Sequence, residues 1–384
     1  MVLDGSPVHP TYGNTTVGDV DMTWSRRNFL AAGCAGVTAT WLGGCSGSGM
    51  ETYDDTARAL RAPLPADAKP EDFVRFASLA PNSHNTQPWK FRLGDDAVDI
   101  LPDLSRSCPV VDPDDHHVFV SLGCAAENLL IAGNARGRPG EVSANPAGKA
   151  SSIAVALGNG AISDRELCDA IPLRQSTRSD YDGQPLSTED LRRLGRAAAM
   201  PGVETLFITD RAKMDGVLDY VIAGNSVQCD DPAFVEELKD WIRFNPEAAL
   251  ATKDGLFTAC SGNPTSPSWL GSLMFDLFFS KESENEKYAG HVNSSAGIVI
   301  FVADRDDEEG WINVGRSFQR FALQATALGI RHAHLNMPIE VADIRPEFAS
   351  WLGIPDRRPD LVIRFGKAPA LPMSLRRPIA EVLA

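Results

Sequence analysis

Apolar positions fall at helical and strand spacings along most of the chain after residue 70. Over residues 71–79, Phe73, Phe76, Ala77 and Leu79 share one face of a helix. That stretch runs into Ala80-Pro81-Asn82-Ser83-His84-Asn85, which has the composition of a turn. Residues 89–93 and 98–101 alternate as two strands about Gly94-Asp95-Asp96, the pattern of a hairpin. A long helix is predicted over 115–135, closed by Arg136-Gly137. Much of this order returns later, as a helix at 188–199, strands at 204–209 and 297–303, and a helix at 311–328 closed by Gly329. At an offset of 192 positions Gly123 falls over Gly315, Glu127 over Gln319, Ala135 over Ala327 and Gly137 over Gly329. Three identities carry little weight alone; with the matching order of elements they predict an internal duplication. Among the shared elements lie residues 219–293, which hold Trp241, Phe244, Phe257, Trp269, Phe275, Phe278 and Phe279. Such a density of aromatics predicts a lid or a second packing layer.

Composition narrows the partners. The 384 residues carry 36 Lys and Arg against 51 Asp and Glu, a net charge of −15, and a surface with that field repels nucleic-acid phosphates. Seven cysteines without CxxC spacing make neither a disulfide scaffold nor a zinc module. Part of their odd number is explained at the start of the chain. There Ser25-Arg26-Arg27-Asn28-Phe29-Leu30 precedes an apolar stretch over 31–42 that is too short and too rich in Gly and Thr to span a bilayer. It ends in Leu42-Gly43-Gly44-Cys45, followed by Ser46-Gly47-Ser48-Gly49. This reads as a twin-arginine export signal with a lipoprotein box, Cys45 being the lipidated residue, although the same boundary would serve ordinary cleavage. The mature protein is then expected outside the cytoplasm, in the periplasm or cell envelope, touching membrane only through its lipid. Removing residues 1–45 leaves a net charge of −14 on the body, and the five remaining cysteines are expected to be mostly buried small hydrophobes.

Common catalytic signatures are missing. Residues 145–151 contain Gly148-Lys149, but Ala150 stands where a phosphate loop needs Ser or Thr. No GxSxG and no strand-to-helix GxGxxG occurs. His116-His117 and His332-x-His334 belong to no Cys/His cluster at metal-ligand spacing and are read as a solvated face or a strand rather than as metal ligands; no metal is expected. Two segments stand out. In Pro81-Asn82-Ser83-His84-Asn85-Thr86-Gln87-Pro88-Trp89, two prolines restrain a loop rich in amide and hydroxyl groups, suited to the edge of a flat heterocycle. In Arg174-Gln175-Ser176-Thr177-Arg178, alternation along an extended stretch lets Arg174, Ser176 and Arg178 converge on one oxyanion. Arg376-Arg377 forms a weaker basic cluster near the end.

At these residues the chain resembles the nitroreductase family of FMN flavoproteins. The resemblance implies that Arg174, Ser176 and Arg178 hold the FMN phosphate, with Arg376 and Arg377 less securely placed beside it. It implies ring-side contacts from Pro81, Asn82, Ser83, Asn85 and Gln87, and no side chain acting as nucleophile or general acid. From about residue 73 to the end the chain is similar to the Acg-type branch, in which two nitroreductase-like halves are fused, including Asp254-Gly255-Leu256 and Arg376-Arg377-Pro378. The expected fold is α+β, each half a mixed, mainly antiparallel sheet flanked by helices, the halves paired as an intramolecular pseudo-dimer. The expected organisation is an address at 1–45, a tether at 46–70, a first half at 71–165, and a second at 166–384 with a lid-like insert at about 219–293.

Each half keeps one part of the site: Ala199-Met200-Pro201-Gly202 stands where the second half would repeat the ring loop. One complete FMN site and one degenerate site are therefore expected, in a monomer that mimics a dimer. The implied activity is two-electron reduction of a small electron-poor acceptor, a quinone or nitroaromatic, from an electron donor that no residue identifies. FMN sequestration without turnover, and a solute-binding lipoprotein without flavin, are the alternatives.

Overall fold

The computed structural model describes residues 46–145 and 152–384. The export signal and Cys45 lie outside the described residues, as does most of the 145–151 segment.

The first half builds a four-stranded sheet from β1 (Trp89–Leu93), β2 (Ala97–Pro102), β3 (Gly140–Asn145) and β4 (Ser152–Leu157), in the order β1-β2-β4-β3. The second builds another from β5 (Val203–Ile208), β8 (Gly297–Ala303), β9 (Arg331–His334) and β10 (Pro359–Gly366), in the order β5-β8-β10-β9. The short pair β6 (Ile242–Arg243) and β7 (Leu256–Phe257) lies apart from both and is parallel. In each sheet the first, second, fourth and third strands stand side by side, and every pairing is antiparallel. The expected α+β class and the repeated order of elements are both present in the fold.

Helices fill the space between and around the sheets. They include α1 (Ser46–Leu60), α2 (Pro70–Ser78), α3 (His116–Asn134), α4 (Arg165–Ala170), α5 (Thr188–Ala198), α6 (Arg211–Asp230), α7 (Pro232–Asp240), α8 (Pro246–Thr252), α9 (Ser268–Phe278), α10 (Lys281–Asn293) and α11 (Glu308–Ala327). The two long helices cross at the residues the 192 offset superimposes. A Cβ on Gly123 would lie 2.1 Å from the Ile312 carbonyl oxygen, and one on Gly315 would lie 2.0 Å from that of Val120. Val120 and Ile312 are themselves 192 apart, so the contact is reciprocal, as at a two-fold interface. Around it Glu127 receives Arg316 and Arg320, both at 2.9 Å, and Gln319 Nε2 donates to Asn128 Oδ1 at 2.5 Å. One apolar cluster runs through both halves, from Phe76, Trp89 and Ile131 to Phe321 and Phe365. The halves thus share a core.

Burial along the strands explains the insert. In β2 and β4 only alternate residues are buried, Val98 and Ile100, Ile153 and Val155, because that sheet packs on one face. In β8 and β10 every residue is buried. Val299 and Phe301 face the shared core, whereas Ile298, Ile300 and Val302 face a second cluster with Met214, Val217 and Val221 of α6 and Val292 of α10. The material between β5 and β8 therefore supplies a second packing layer, as one of the two expected roles required. Of its aromatics, Tyr220 and Tyr288 pack against that layer, but Trp269 and Phe278 of α9 are exposed.

Residues 46–60, expected within a tether, form α1. Tyr53 and Ala57, four residues apart, bury one face against Phe257, Ala249 and Leu375. The Tyr53 ring lies 4.6 Å from that of Phe257, and its hydroxyl donates to the Met373 carbonyl at 2.8 Å. Cys108, Cys124 and Cys168 are buried and Cys229 and Cys260 half-buried; all five are free. Among the described residues no helix is long and apolar enough to cross a membrane.

Candidate functional site

The segment after α4 runs extended along the edge of the second sheet, where Thr177 N–H donates to the His332 carbonyl at 2.9 Å and Ser176 bridges His332. Arg174, Ser176 and Arg178 reach one cavity, as the alternation of an extended chain predicts, and Gln175 lines it as well, with its Oε1 accepting from Thr177 Oγ1 at 3.0 Å. The cavity is about 70 Å³. Pro81, Asn82 and Asn85 of the first half form another wall; Gly255, Leu256, Phe257, Cys260 and Ser261 come from the insert, His334 from β9, and Pro372, Ser374 and Arg376 from the C-terminal segment. Of these, the sequence assigns Arg376 to the site, but not the insert positions, His334, Pro372 or Ser374. Asp254-Gly255-Leu256 was the available signal for one of them.

Arg174 is buried, and only one of its nitrogens is used: Nη2 donates to the Leu79 carbonyl at 3.0 Å, while Nε and Nη1 have no partner. Burial pulls its guanidinium from 12.5 down to about 10, so it stays charged near neutral pH. Among the described residues no carboxylate pairs with Arg174, Arg178 or Arg376, and half-buried Arg178 makes no hydrogen bond. A buried cation with idle donors is costly unless an anion meets it. The donor set fits a phosphate. His332 and His334 stay neutral beside it: burial, and then Arg178, push His334 down to about 3, and burial with Arg174 lowers His332 well below the ordinary imidazole value.

The loop departs from expectation in a definite way. His84, Asn85 and Gln87 all have positive φ, 43°, 56° and 57°, a left-handed conformation that costs non-glycine residues roughly 1–2 kcal/mol each. Its polar side chains are spent on holding that shape. Asn82 Oδ1 accepts from Gln87 N–H at 2.8 Å, Asn85 Nδ2 donates to the Gly255 and Leu375 carbonyls, and Gln87 Nε2 donates to the Lys253 carbonyl at 2.9 Å. Gln87 is fully buried and, like Ser83, does not line the cavity. These two are therefore not wall residues; Gln87 ties the loop to the insert.

The C-terminal arginines differ from Arg174. Arg376 lines the cavity, but its donors are occupied by Asn85 Oδ1, Ser374 Oγ and the carbonyls of Ser78, Leu79, Ala80 and Leu375. It clamps the loop and has no hydrogen left for a phosphate. Arg377 lies off the cavity, its Nη2 on the Gln87 and Trp89 carbonyls and its N–H on Gln87 Oε1. A larger open cleft of about 1050 Å³ lies among α7, α8 and α9. Its cations are already paired, Lys239 with Asp276 at 2.5 Å and Arg243 with Asp254 at 2.8 Å, so no idle cation awaits an anion there.

The His116-His117 pair is also unlike its expectation. Both rings are buried at the start of α3, beside three carboxylates, Asp112, Glu340 and Asp360. Glu340 and Asp360 are too distant in sequence for a local pattern to have revealed them.

No family model matches the chain. It is 23% identical over 319 residues to the Mycobacterium tuberculosis protein named "Putative NAD(P)H nitroreductase Rv3131", covering 81% of this chain and 89% of that protein. It is 23% identical over 331 residues to "Putative NAD(P)H nitroreductase acg" of the same species, covering 80% and 93%. Among solved structures, the FMN-dependent nitroreductase NfnB from Mycobacterium smegmatis in complex with NADPH aligns at 13% identity with a TM-score of 0.36, over 53% of this chain and 88% of its own. A "putative nitroreductase" from Anabaena variabilis aligns at 11% identity with a TM-score of 0.47, over 82% and 91%. Over some four fifths of its length, the chain is thus similar in sequence to mycobacterial proteins that carry the nitroreductase name.

Proposed function

We propose that this chain is an FMN-binding oxidoreductase of the nitroreductase type, reducing a small electron-poor acceptor such as a quinone or nitroaromatic. The observation that carries the reading is the buried guanidinium of Arg174, with Nε and Nη1 idle, facing the same cavity as Ser176, Arg178 and the loop of the other half. Arg174, Ser176 and Arg178 hold the phosphate; Pro81 and Asn82 flank the ring; Arg376 keeps the loop in place. Bound FMN supplies the two-electron redox chemistry, and the protein's part is to hold, orient and shield it. The names of the mycobacterial relatives support the same class. One FMN per chain is expected, in a monomer, because the Arg174 segment and the loop each occur once. Export through the twin-arginine signal and a lipid on Cys45 belong to the proposal, and so does an electron donor on the far side of the membrane.

The first experiment is the visible spectrum of the purified full chain, with the flavin-to-protein ratio. Colourless protein that does not take up added FMN defeats the reading, and two FMN per chain defeats the single-site part. A second reading, FMN sequestration without turnover, is favoured by the small volume of the site. The volume of about 70 Å³ is well below the roughly 300 Å³ at which ligand pockets usually begin, and Phe257, Cys260 and Pro372 line it. Reoxidation of dithionite-reduced protein separates the two: rapid reoxidation by a quinone or nitroaromatic supports turnover, and a reduced flavin that persists supports sequestration.

A further inference from the structure

Behind the loop, at the start of α3, four ring nitrogens and three carboxylates meet in a largely buried cluster. His116 Nε2 lies 3.0 Å from Asp360 Oδ1, and His117 Nε2 lies 3.2 Å from Glu340 Oε1. The two Nδ1 atoms face each other at 3.2 Å. The carboxylates are themselves fixed: Asp360 Oδ2 accepts from Ala303 N–H at 2.6 Å, and Glu340 Oε2 accepts from Gln228 Nε2 at 2.7 Å. With Glu340 and Asp360 ionised, each ring nitrogen beside a carboxylate carries the proton, so each Nε2–H donates outward and leaves a lone pair on each Nδ1. Two lone pairs at 3.2 Å in a buried site repel unless a positive charge lies between them.

Asp112 completes the arrangement. Its carboxylate lies near both rings, with one ligand atom from each of the three residues within 4.8 Å of the others. Its two oxygens accept the His117 and Val118 N–H groups at 3.0 and 3.2 Å, and each keeps a further lone pair. Two imidazole nitrogens bound at 2.0–2.1 Å to one tetrahedral zinc stand about 3.3 Å apart, close to the separation found here. Imidazole ligands whose other N–H is held by a carboxylate are the usual surroundings of such an ion. Local charge agrees, since Asp112, Glu340 and Asp360 outweigh the nearby cations. Arg358 is shared with Asp114 and Asp306, and Arg345 Nε donates to the Ile339 carbonyl.

We propose that Asp112 and the Nδ1 atoms of His116 and His117 bind one divalent cation of the zinc class. The ligands come from the first half and the orienting carboxylates, Glu340 and Asp360, from the second, so the ion joins the halves next to the loop. His84 of that loop lies 3.5 Å from Cys108 Sγ, on the segment leading to Asp112.

The test uses the full chain, untagged, after removal of metal with a chelator, titrated with Co(II) and then Zn(II). The expected result is one Co(II) per chain, with the visible ligand-field bands of a four- or five-coordinate nitrogen and oxygen site, displaced by Zn(II). His117→Asn should abolish the bands, and Glu340→Gln or Asp360→Asn should weaken binding roughly 10–100-fold. If these variants do not fold, imidazole nitrogen NMR of the wild type decides: zinc should shift both Nδ1 resonances, with both Nε2 atoms protonated. The proposal is overturned if folded wild type takes up no Co(II) or Zn(II), or if binding survives His117→Asn in a folded variant. An imidazolium proton shared between the rings and unchanged by zinc overturns it as well.

Discussion

Replacing Arg174 by Met keeps most of the apolar stem of the side chain and removes the charge and donors. The consequences for the apo and FMN-bound protein should have different signs. In the apo protein the variant loses one hydrogen bond, to the Leu79 carbonyl, worth about 1 kcal/mol. That oxygen keeps Arg376 Nη2 at 3.4 Å. Against this small loss stands the relief of a buried cation that no carboxylate offsets, so apo stability should hold or rise. For the FMN phosphate the loss is larger. Nε and Nη1 are both without partners, and two charge-assisted hydrogen bonds at roughly 1.5–3 kcal/mol each give about 3–6 kcal/mol, or about 10²–10⁴-fold in Kd. Flavin fluorescence titration gives the affinity and urea unfolding of the apo protein gives the stability. A variant that loses more than about 2 kcal/mol of apo stability while its FMN affinity stays within threefold would refute the argument and make Arg174 a structural residue.

Other perturbations test other parts of the molecule. Gly123→Ala and Gly315→Ala each press a methyl group onto a carbonyl oxygen of the facing helix and should cost about 1–3 kcal/mol in urea unfolding, with non-additive effects in the double variant. Tyr53→Ala removes the ring against Phe257 and the bond to Met373; a loss of up to about 3–5 kcal/mol is expected, seen as a lower Tm and earlier proteolysis of α1. Burial, with Arg364, Lys287 and Arg178 adding to it, pushes His291 down to about 3, below the 6.5 of an unfolded imidazole. The unfolded chain therefore binds more protons between those values, and stability that is full above pH 6.5 is lost as pH falls toward 3. His291→Gln should flatten that acid slope by up to about 1.4 kcal/mol per pH unit, measured by denaturant unfolding between pH 7 and 4.

What the sequence discloses depends on how far apart the interacting groups lie. The hairpin of β1 and β2, the two long helices and their offset were legible because periodicity is local and the duplication preserves it. The convergence of Arg174, Ser176 and Arg178 was legible because an extended chain alternates. In contrast, α1 has its few apolar residues among charged ones, and the surface it covers is built by Phe257 and Leu375, far along the chain. Arg376 and Arg174 look alike in sequence; only the folded main chain shows that one has every donor occupied and the other does not. The polar side chains of the 81–89 loop were read as facing a ligand. Three left-handed residues in that loop need those side chains for its own support.

The crossing of α3 and α11 through facing glycines has one more consequence. Where two separate subunits meet at such a contact, the composite pocket exists only above the concentration at which they associate. Here the partners are one polypeptide, and their encounter is intramolecular, at a fixed effective concentration that dilution does not change. A substitution also strikes one copy of the repeat and leaves its counterpart intact. The two copies are thus free to diverge, as the single Arg174 segment and the single 81–89 loop illustrate.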